Sequence, residues 1–216
     1  MNLASSSEPK PRLRERLRSA TRDAILAAAA DVFAADGAAN ARIEDIAARA
    51  GVAVGTVYNY FEDRAALVAA QLDVRTKSLL EALDEDSGRS RSKGGRGPSA
   101  AFAGELDRFV ATLAGHFDTN RGLLTVLLDE HLARGMHARD VSRRQTVMEQ
   151  ILVRAERLMA KGIRTHALRK DDPSIYAALL VGMVRGLALS SLPRREARLG
   201  DAAGLIGRVF LAGAAR

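Results

Sequence analysis

The chain has 216 residues, enough to bury a core in one or two domains. Alanine, leucine and arginine dominate, prolines are few, and no long alternating β-branched stretch occurs, which predicts an all-α protein. Because cysteine is absent, a disulfide framework and a thiolate metal site are excluded. The net charge of +7 suits a nucleic-acid partner, but acidic residues outnumber basic ones between positions 23 and 86. Bulk charge is therefore weak support for DNA binding.

Residues 1–18 are basic and polar, without the apolar core of a secretory signal. Five basic residues alternate with other residues there: Lys10, Arg12, Arg14, Arg16 and Arg18. This spacing would scatter the charges around a helix, whereas an extended chain would align them along phosphates or a narrow minor groove. We therefore expect a disordered basic arm. A solvated tail, or a first helix extended through Leu13 and Leu17, remains an alternative.

A domain is predicted over 19–66. Its first helix, about 19–35, has one apolar face and ends before Gly37. The members of that face are Ile25, Ala28, Ala29, Val32 and Phe33. Two short helices follow at about 42–50 and 54–60, joined at Gly51, where we expect a positive φ. The first of them has its apolar residues at i, i+3, i+4 and i+7, namely Ile43, Ile46, Ala47 and Ala50. The two-helix pattern alone fits a DNA-reading helix-turn-helix and an ordinary αα-hairpin equally well.

Asp63 suits the N-cap of the next helix, which we expect to reach about Leu83. Residues 67–84 therefore form a connecting helix, and the Gly-, Ser- and Arg-rich segment 85–98 forms a flexible linker.

Five helices are predicted in the remaining domain, 99–216: about 99–117, 121–134, 140–165, 173–191 and 196–214. Pro173 suits the first turn of the fourth, with Asp171 or Asp172 as its cap. Arg185 interrupts the most apolar run, 175–192, which favours a buried helix of a cytoplasmic protein over a membrane span. The last two helices are apolar enough to complete a bundle with a second copy of the chain, or simply to close the protomer's core.

One ordered set of residues surrounds Gly51: Ala-Gly-Val-x-x-Gly-Thr-x-Tyr-x-Tyr-Phe at 50–61, with Ile46-Ala47 before it and Arg64-x-x-Leu67 after it. With the preceding helix, this set resembles the DNA-binding domain of the tetracycline-repressor (TetR) family of bacterial transcription regulators over 21–72. The resemblance implies an all-α fold, with an N-terminal three-helix helix-turn-helix DNA-binding domain and a C-terminal helical ligand-sensing and dimerisation domain. It also implies a homodimer that represses from a palindromic double-stranded DNA operator until a small ligand releases it.

By this resemblance, Thr56, Tyr58, Tyr60 and Arg64 hold phosphates, whereas Val54, Gly55 and Asn59 face base edges. Packing beneath the motif is the alternative for the two tyrosines, and for Val57 and Phe61 core packing is the preferred interpretation. Two positions depart from the family pattern. Arg42 replaces a threonine that caps the first motif helix and touches phosphate; it can still reach phosphate, but Asn40 would have to supply the cap. Ala53 replaces the frequent N-cap serine of the recognition helix.

The resemblance places a ligand pocket between the helices at 99–117, 121–134, 140–165 and 173–191, although core packing is the preferred interpretation for any single lining residue. Few polar groups are available there, so the expected ligand is largely apolar with one polar end. The candidate lining is Phe102, Phe109, Leu113, His116, Phe117, Arg121, Leu124, Leu127, Leu128, Glu130, His131, Met148, Leu152, Tyr176 and Met183. The candidate dimer interface, through the last two helices, is Ala178, Gly182, Gly186, Leu199, Ala203, Ile206, Val209 and Phe210.

Two other functions are alternatives. An enzyme could use His116, Glu130, His131 and His137, but no metal-ligand spacing, phosphate-binding glycine loop or nucleophile elbow accompanies them. We therefore expect no enzyme, no cofactor and no metal. The other alternative is a DNA-binding regulator whose C-terminal core is filled and which senses no small molecule.

Overall fold

The computed structural model describes residues 13–88, 98–134, 138–192 and 198–214. Within these ranges, only the backbone is described at 86–88, 98, 127–134 and 138–145. The described chain forms eight α-helices: α1 Leu13–Asp36, α2 Ile43–Ala50, α3 Val54–Tyr60, α4 Arg64–Gly88, α5 Pro98–Arg134, α6 Ala138–Arg164, α7 Pro173–Ser191 and α8 Leu199–Ala214. They belong to two compact units, Met1–Gln71 and Leu72–Arg216. The all-α prediction is confirmed for the described residues.

In the first unit, α2 packs between α1 and α3. The predicted apolar face of α1 is buried, and Ile46 and Ala47 of α2 are buried with it. Gly51 follows α2 with φ 68°, as predicted. Its N–H donates to Ala48 O at 3.2 Å, and the Val52 N–H donates to Ala47 O at 3.0 Å. These two bonds satisfy carbonyls that the end of the helix leaves free, so they fix the turn into α3.

The first helix begins at Leu13, six residues before the predicted start at 19. Residues 13–18 are therefore helical and not part of an extended arm, which corrects that part of the prediction. Leu13 and Leu17 are 71% and 59% exposed, so burial does not explain this extension. Leu, Arg and Glu are good helix formers, so helix propensity favours the extension. Lys10 and Arg12 lie outside the described residues.

In the second unit, α5 packs mainly on α8, and α6 packs on α7. The predicted helices 99–117 and 121–134 are one helix, so the break expected at 118–120 was wrong. The polar side chains there bond elsewhere. Asp118 accepts hydrogen bonds from Leu199 N at 2.9 Å and Gly200 N at 2.8 Å, and so caps α8. The predicted five helices of this domain are therefore four.

Ion pairs join the helices of this unit around its apolar core. Lys161 of α6 donates to both carboxylate oxygens of Glu105 on α5, at 2.6 and 2.9 Å. Arg154 of α6 donates to Asp84 of α4 at 2.6 Å. The C-terminal half of α4 thus belongs to the same bundle, and its Leu83 is only 1% exposed.

Candidate functional site

The third helix presents a small polar surface. Gly55, Tyr58 and Asn59 are exposed and lie at i, i+3 and i+4, on one face of α3. Val57, on the opposite face, is buried in the first unit, and Phe61 directly after the helix is buried too. The core role predicted for Val57 and Phe61 is therefore confirmed.

The remaining predicted DNA contacts flank this exposed face. Val54, Thr56 and Tyr60 are half-buried, which leaves part of each side chain at the surface. Tyr58 is 49% exposed, so it is not packed beneath the motif. Arg42 is exposed at the start of α2. A surface of two phenols, a hydroxyl, an amide and a guanidinium can donate to phosphates and read base edges.

Neither motif helix has a side-chain cap. Arg42 and Ala53 occupy the N-cap positions of α2 and α3 in extended conformation, and neither makes a capping hydrogen bond. Asn40 does not supply the missing cap, because its Nδ2 donates to Asp36 O at 3.1 Å, at the end of α1. The prediction for Asn40 was wrong. By contrast, Asp63 accepts from Ala66 N at 2.8 Å and caps α4 as expected.

Arg64 has an internal role that the sequence did not indicate. Its Nη2 donates to the carbonyl oxygen of Ala38 and, at 2.9 Å, to that of Ala39. It thereby fastens the start of α4 to the turn that follows Gly37. Phosphate binding by Arg64 stays a prediction, and its replacement would also disturb this turn.

A row of arginines continues the core face of α1 toward its N-terminus. This row consists of Arg14, Arg18 and Arg22, which lie four residues apart on one side of α1. The next residue at the same interval is Leu26, which is buried together with Ile25 and Ala29. Arg22 lies over the Phe61 ring, with 5.4 Å from its Cζ to the ring centroid. We call Arg14, Arg18 and Arg22 the arginine row. The row runs from Arg22, which contacts Phe61 at the end of α3, to Arg14 near the N-terminus of α1.

The predicted ligand-lining residues fall into two groups in the second unit. Phe102, Phe109 and Leu113 are buried in the core. Most of the others are half-buried and packed against that core or beside it: Phe117, Leu124, Met148, Leu152, Tyr176 and Met183. For Leu127, Leu128, Glu130 and His131, the side chains lie outside the described part of the chain, as does His137 entirely.

Of the two predicted polar groups whose side chains are described, Arg121 lies over the ring of Phe117, with 5.6 Å from its Cζ to the ring centroid. Arg121 donates to Ser191 at the end of α7 and pairs with Asp118 at 3.4 Å. His116 faces a cleft between α4 and α5, close to Asn120. Burial, and after it the positive charge of Arg75, lower the pKa of His116. Among the described residues, no cluster of three or more His, Cys, Asp or Glu suits a metal ion.

The predicted dimer residues divide between the surface and the core. Ala178, Gly182, Gly186 and Val209 are exposed, as an interface requires before a partner binds. Four others are each below a tenth exposed and pack inside the protomer's core, which corrects their assignment: Leu199, Ala203, Ile206 and Phe210. On α8 the outward stripe is instead formed by Leu205, Val209 and Ala212.

The exposed faces of α7 and α8 carry large apolar side chains that the sequence analysis missed. They are Ile175, Leu179, Leu187, Leu189 and Leu205, each between 42% and 55% exposed. We call these residues, with Ala178, Gly182, Gly186, Val209 and Ala212, the outer apolar face. Among the described helices, Pro173–Ser191 alone is long and apolar enough to cross a membrane, which is weak evidence for a span.

Residues 25–70 match the family model described as bacterial regulatory proteins, tetR family. No curated protein sequence matches the chain.

Solved structures share the fold over most of the chain. One is SmeT of Stenotrophomonas maltophilia, the repressor of the multidrug efflux pump SmeDEF, at 24% identity and TM-score 0.58, with 90% of each chain covered. A second is a TetR/AcrR-family regulator of Thermobifida fusca, at 21% identity and TM-score 0.61, covering 90% of this chain and 98% of that one. A third is FadR of Bacillus subtilis in complex with stearoyl-CoA, at 18% identity and TM-score 0.62, covering 88% and 98%.

These likenesses establish the fold, and the family match falls on the part of the chain that forms the helix-turn-helix. The glycine turn, the exposed polar face of α3 and the capped start of α4 all lie within it. Residues 25–70 therefore form a helix-turn-helix domain of the kind found in the tetR family of bacterial regulatory proteins, and the fold of the chain is shared with the solved structures above.

Proposed function

We propose that this protein is a TetR-family transcription regulator, a repressor that binds a palindromic operator as a homodimer and is released by a small, largely apolar ligand. The observation that carries the DNA-binding part is the exposed face of α3, formed by Gly55, Tyr58 and Asn59. Its Asn59 amide suits bidentate pairing with adenine, and the Tyr58 hydroxyl suits a phosphate oxygen. Such a protein acts on DNA in the cytoplasm.

The arginine row supports a second contact with the same DNA. Arg14, Arg18 and Arg22 are exposed, and they share the side of α1 that meets the motif. Guanidinium groups bind phosphates through planar paired N–H donors. We assign Arg14 and Arg18 to phosphates that flank the bases read by α3. Arg22 lies between these two arginines and α3, against Phe61.

The outer apolar face supports the dimer. A Cβ built on Gly182 or Gly186 meets no atom within 4 Å, so contacts inside the protomer do not require glycine at either position. Close approach of a second helix does require small residues, and the flanking Leu179 and Val209 offer apolar area to cover. A second copy of the chain, related by a two-fold axis, is the occupant that a palindromic operator demands.

The relatives support a small-molecule effector. SmeT has been solved with triclosan, and FadR of Bacillus subtilis with stearoyl-CoA, both of them ligands with large apolar parts. In this chain, half-buried Met148, Leu152 and Met183 border the core of the second unit and suit such a ligand. To release the operator, the ligand must bind one conformation of the dimer more tightly than the other by several kcal/mol.

The DNA-binding proposal is tested by selecting genomic fragments that bind the purified protein and measuring their affinity by fluorescence anisotropy. We expect a near-palindromic consensus. Tyr58→Phe removes only a hydroxyl and should weaken all sites equally, whereas Asn59→Ala should relax the preference at single base pairs, each worth about 1–3 kcal/mol. A protein that binds no fragment more tightly than random DNA at physiological salt would contradict the proposal.

The dimer is tested by light scattering after gel filtration. Leu179→Glu places a charge on the outer apolar face and should give monomers that retain the helical signal of the wild type. Val153→Glu is the matched control, because Val153 is a similarly exposed apolar residue, 45% exposed, on α6. It should remain dimeric. Equal masses for the two variants would contradict this interface.

A further inference from the structure

A cleft of about 270 Å³ lies in the second unit, apart from the apolar residues assigned to the effector. It is bordered by α4 and α5, and its lining is Val74, Arg75, Ser78, Gly115, His116, Thr119 and Asn120. One of these residues is a permanent cation, one is a histidine, three carry hydroxyl or amide groups, and none is acidic. The lining therefore offers hydrogen-bond donors and positive charge.

Asn120 organises the floor of the cleft. It is 2% exposed, and its Nδ2 donates to His116 O at 2.7 Å. Its Oδ1 accepts from Arg75 Nη1 at 3.1 Å. Both hydrogen-bonding ends of the amide are thus used, and they hold the guanidinium of Arg75 against α5. A buried amide that positions an arginine is a preorganised arrangement, because the arginine need not be ordered when a ligand arrives.

Arg75 has no acidic partner in the described chain, and its single hydrogen bond there is the one to Asn120. Other cations of the second unit, among them Arg121, Arg154 and Lys161, do have acidic partners among the described residues. The positive charge of Arg75 also contributes to the lowered pKa of His116, as expected for a charge that no carboxylate neutralises. Four of its five N–H donors remain for a ligand.

From this arrangement we propose that the cleft binds a small organic carboxylate, with the carboxylate on Arg75 and an apolar body beside Val74 and Gly115. A planar guanidinium matches a carboxylate in two parallel hydrogen bonds. Ser78 and Thr119 place hydroxyl groups in the same cleft. Its volume suits a body of one small ring, below the range of drug-sized pockets. One unneutralised cation favours a monoanion.

This proposal goes beyond DNA binding and does not depend on it, since the site is tested on the free protein. The probe is benzoate, measured by isothermal titration calorimetry and by the NMR shift of the His116 ring on the full chain. Benzamide, with the same ring and no charge, is the matched control ligand. Inorganic phosphate tests whether any oxyanion suffices.

We expect benzoate to bind with a dissociation constant of about 1 mM or lower, as for a ligand of this size, and to shift the His116 resonances. Arg75→Gln should weaken it by about tenfold or more, because the charge and the paired donors are removed. Gly115→Leu keeps Arg75 and fills the cleft, since a Cβ at Gly115 meets no atom within 4 Å. It should also abolish binding, whereas Lys77→Gln, an exposed charge on the same helix, should not.

Equal binding of benzamide would overturn the proposal, as would tighter binding of phosphate than of benzoate. Unchanged affinity in a folded Arg75→Gln or Gly115→Leu variant would place the ligand elsewhere and also overturn it. Because no DNA is present, these outcomes are independent of whether an operator is found.

Discussion

The guanidinium of Arg22 lies over the ring of Phe61, with its Cζ 5.4 Å from the ring centroid. Arg22 belongs to α1, and Phe61 is the residue at which α3 ends. This cation–π contact links the helix that carries the arginine row to the end of the recognition helix. We therefore expect Arg22 to contribute to the stability of the domain, and Arg14 and Arg18 to contribute to its affinity for DNA.

Replacing Arg22 tests the contact itself. Arg22→Gln removes the cation and should lower the free energy of unfolding by about 0.5–1 kcal/mol, the usual contribution of an exposed cation–π pair. Arg22→Lys keeps a cation and should be less destabilising. Urea denaturation followed by circular dichroism measures both. A glutamine variant as stable as the wild type would mean that the contact contributes nothing.

The outer members of the row should act on DNA and not on stability. Arg14→Gln with Arg18→Gln should lower operator affinity and reduce the slope of log affinity against log salt by about 0.9 for each phosphate that is no longer neutralised. Arg16→Gln is the matched control, because Arg16 lies about 160° around the helix from Arg18. If Arg16→Gln lowers the affinity as much as the paired change, the arginines act through their total charge and not through contacts with particular phosphates, which would contradict this prediction.

Stability should depend on pH through His116. Its pKa is lowered in the folded protein, first by burial and then by Arg75, whereas the unfolded chain takes up the proton at its ordinary pKa of about 6.5. Between these two values the unfolded state binds more protons, so stability is complete above about pH 6.5 and falls as the pH is lowered. His116→Gln should flatten this part of the curve, measured as unfolding free energy against pH. A curve unchanged by the substitution would assign the dependence to other groups.

Gly162 should tolerate no side chain. A Cβ there would lie 2.6 Å from Cε2 of Phe102 and 3.0 Å from Cδ1 of Leu168, both buried in the core. Gly162→Ala should therefore cost about 1–3 kcal/mol of unfolding free energy. Gly115→Ala is the matched control, because a Cβ at Gly115 meets no atom within 4 Å. It should stabilise α5 by about 0.5–1 kcal/mol, since alanine loses less backbone entropy than glycine in a helix. Thermal and urea unfolding measure both, and effects of the same sign would refute this explanation.

The two motif helices and the turn between them were predictable because their signals are local, whereas the family resemblance was needed to distinguish a helix-turn-helix from an ordinary αα-hairpin. Gly51 sits where the helix must end with a positive φ, and Asp63 caps α4 two residues beyond the motif; both depend on neighbours within five residues. The register of α3 followed from one buried valine, Val57. Nothing distant was needed to place these groups.

The break predicted in α5 failed because its polar residues have distant partners. Asp118 is a helix cap, but it caps α8, whose first amide lies 81 residues away along the chain. Asn120 likewise bonds Arg75 across 45 residues. A local sequence pattern shows that such a side chain can cap a helix or accept a hydrogen bond, but it does not identify the distant residue that becomes its partner.

The sequence located the inward stripe of α8 but not its packing partner, since Leu199, Ala203, Ile206 and Phe210 were assigned to the dimer interface and are buried in the protomer's core. Ile206 is buried and Leu205 is exposed, although both are apolar. Because large apolar side chains lie on both sides of α8, the sequence pattern does not say which side meets the protomer's own core and which a partner. The spacing of Ala178, Gly182 and Gly186 on α7 did locate an exposed stripe, because small residues differ from their neighbours in size.

Of the seven residues of α3, only Val57 is buried. Substitutions at the other positions remove little core contact, so most of them should change the folding free energy by no more than about 0.5 kcal/mol. If α3 contacts bases as proposed, its exposed residues can be exchanged one at a time without unfolding the domain. Under the proposed function, operator preference and fold would be encoded by largely separate residues, so the recognised DNA sequence could change in evolution while the architecture stays constant.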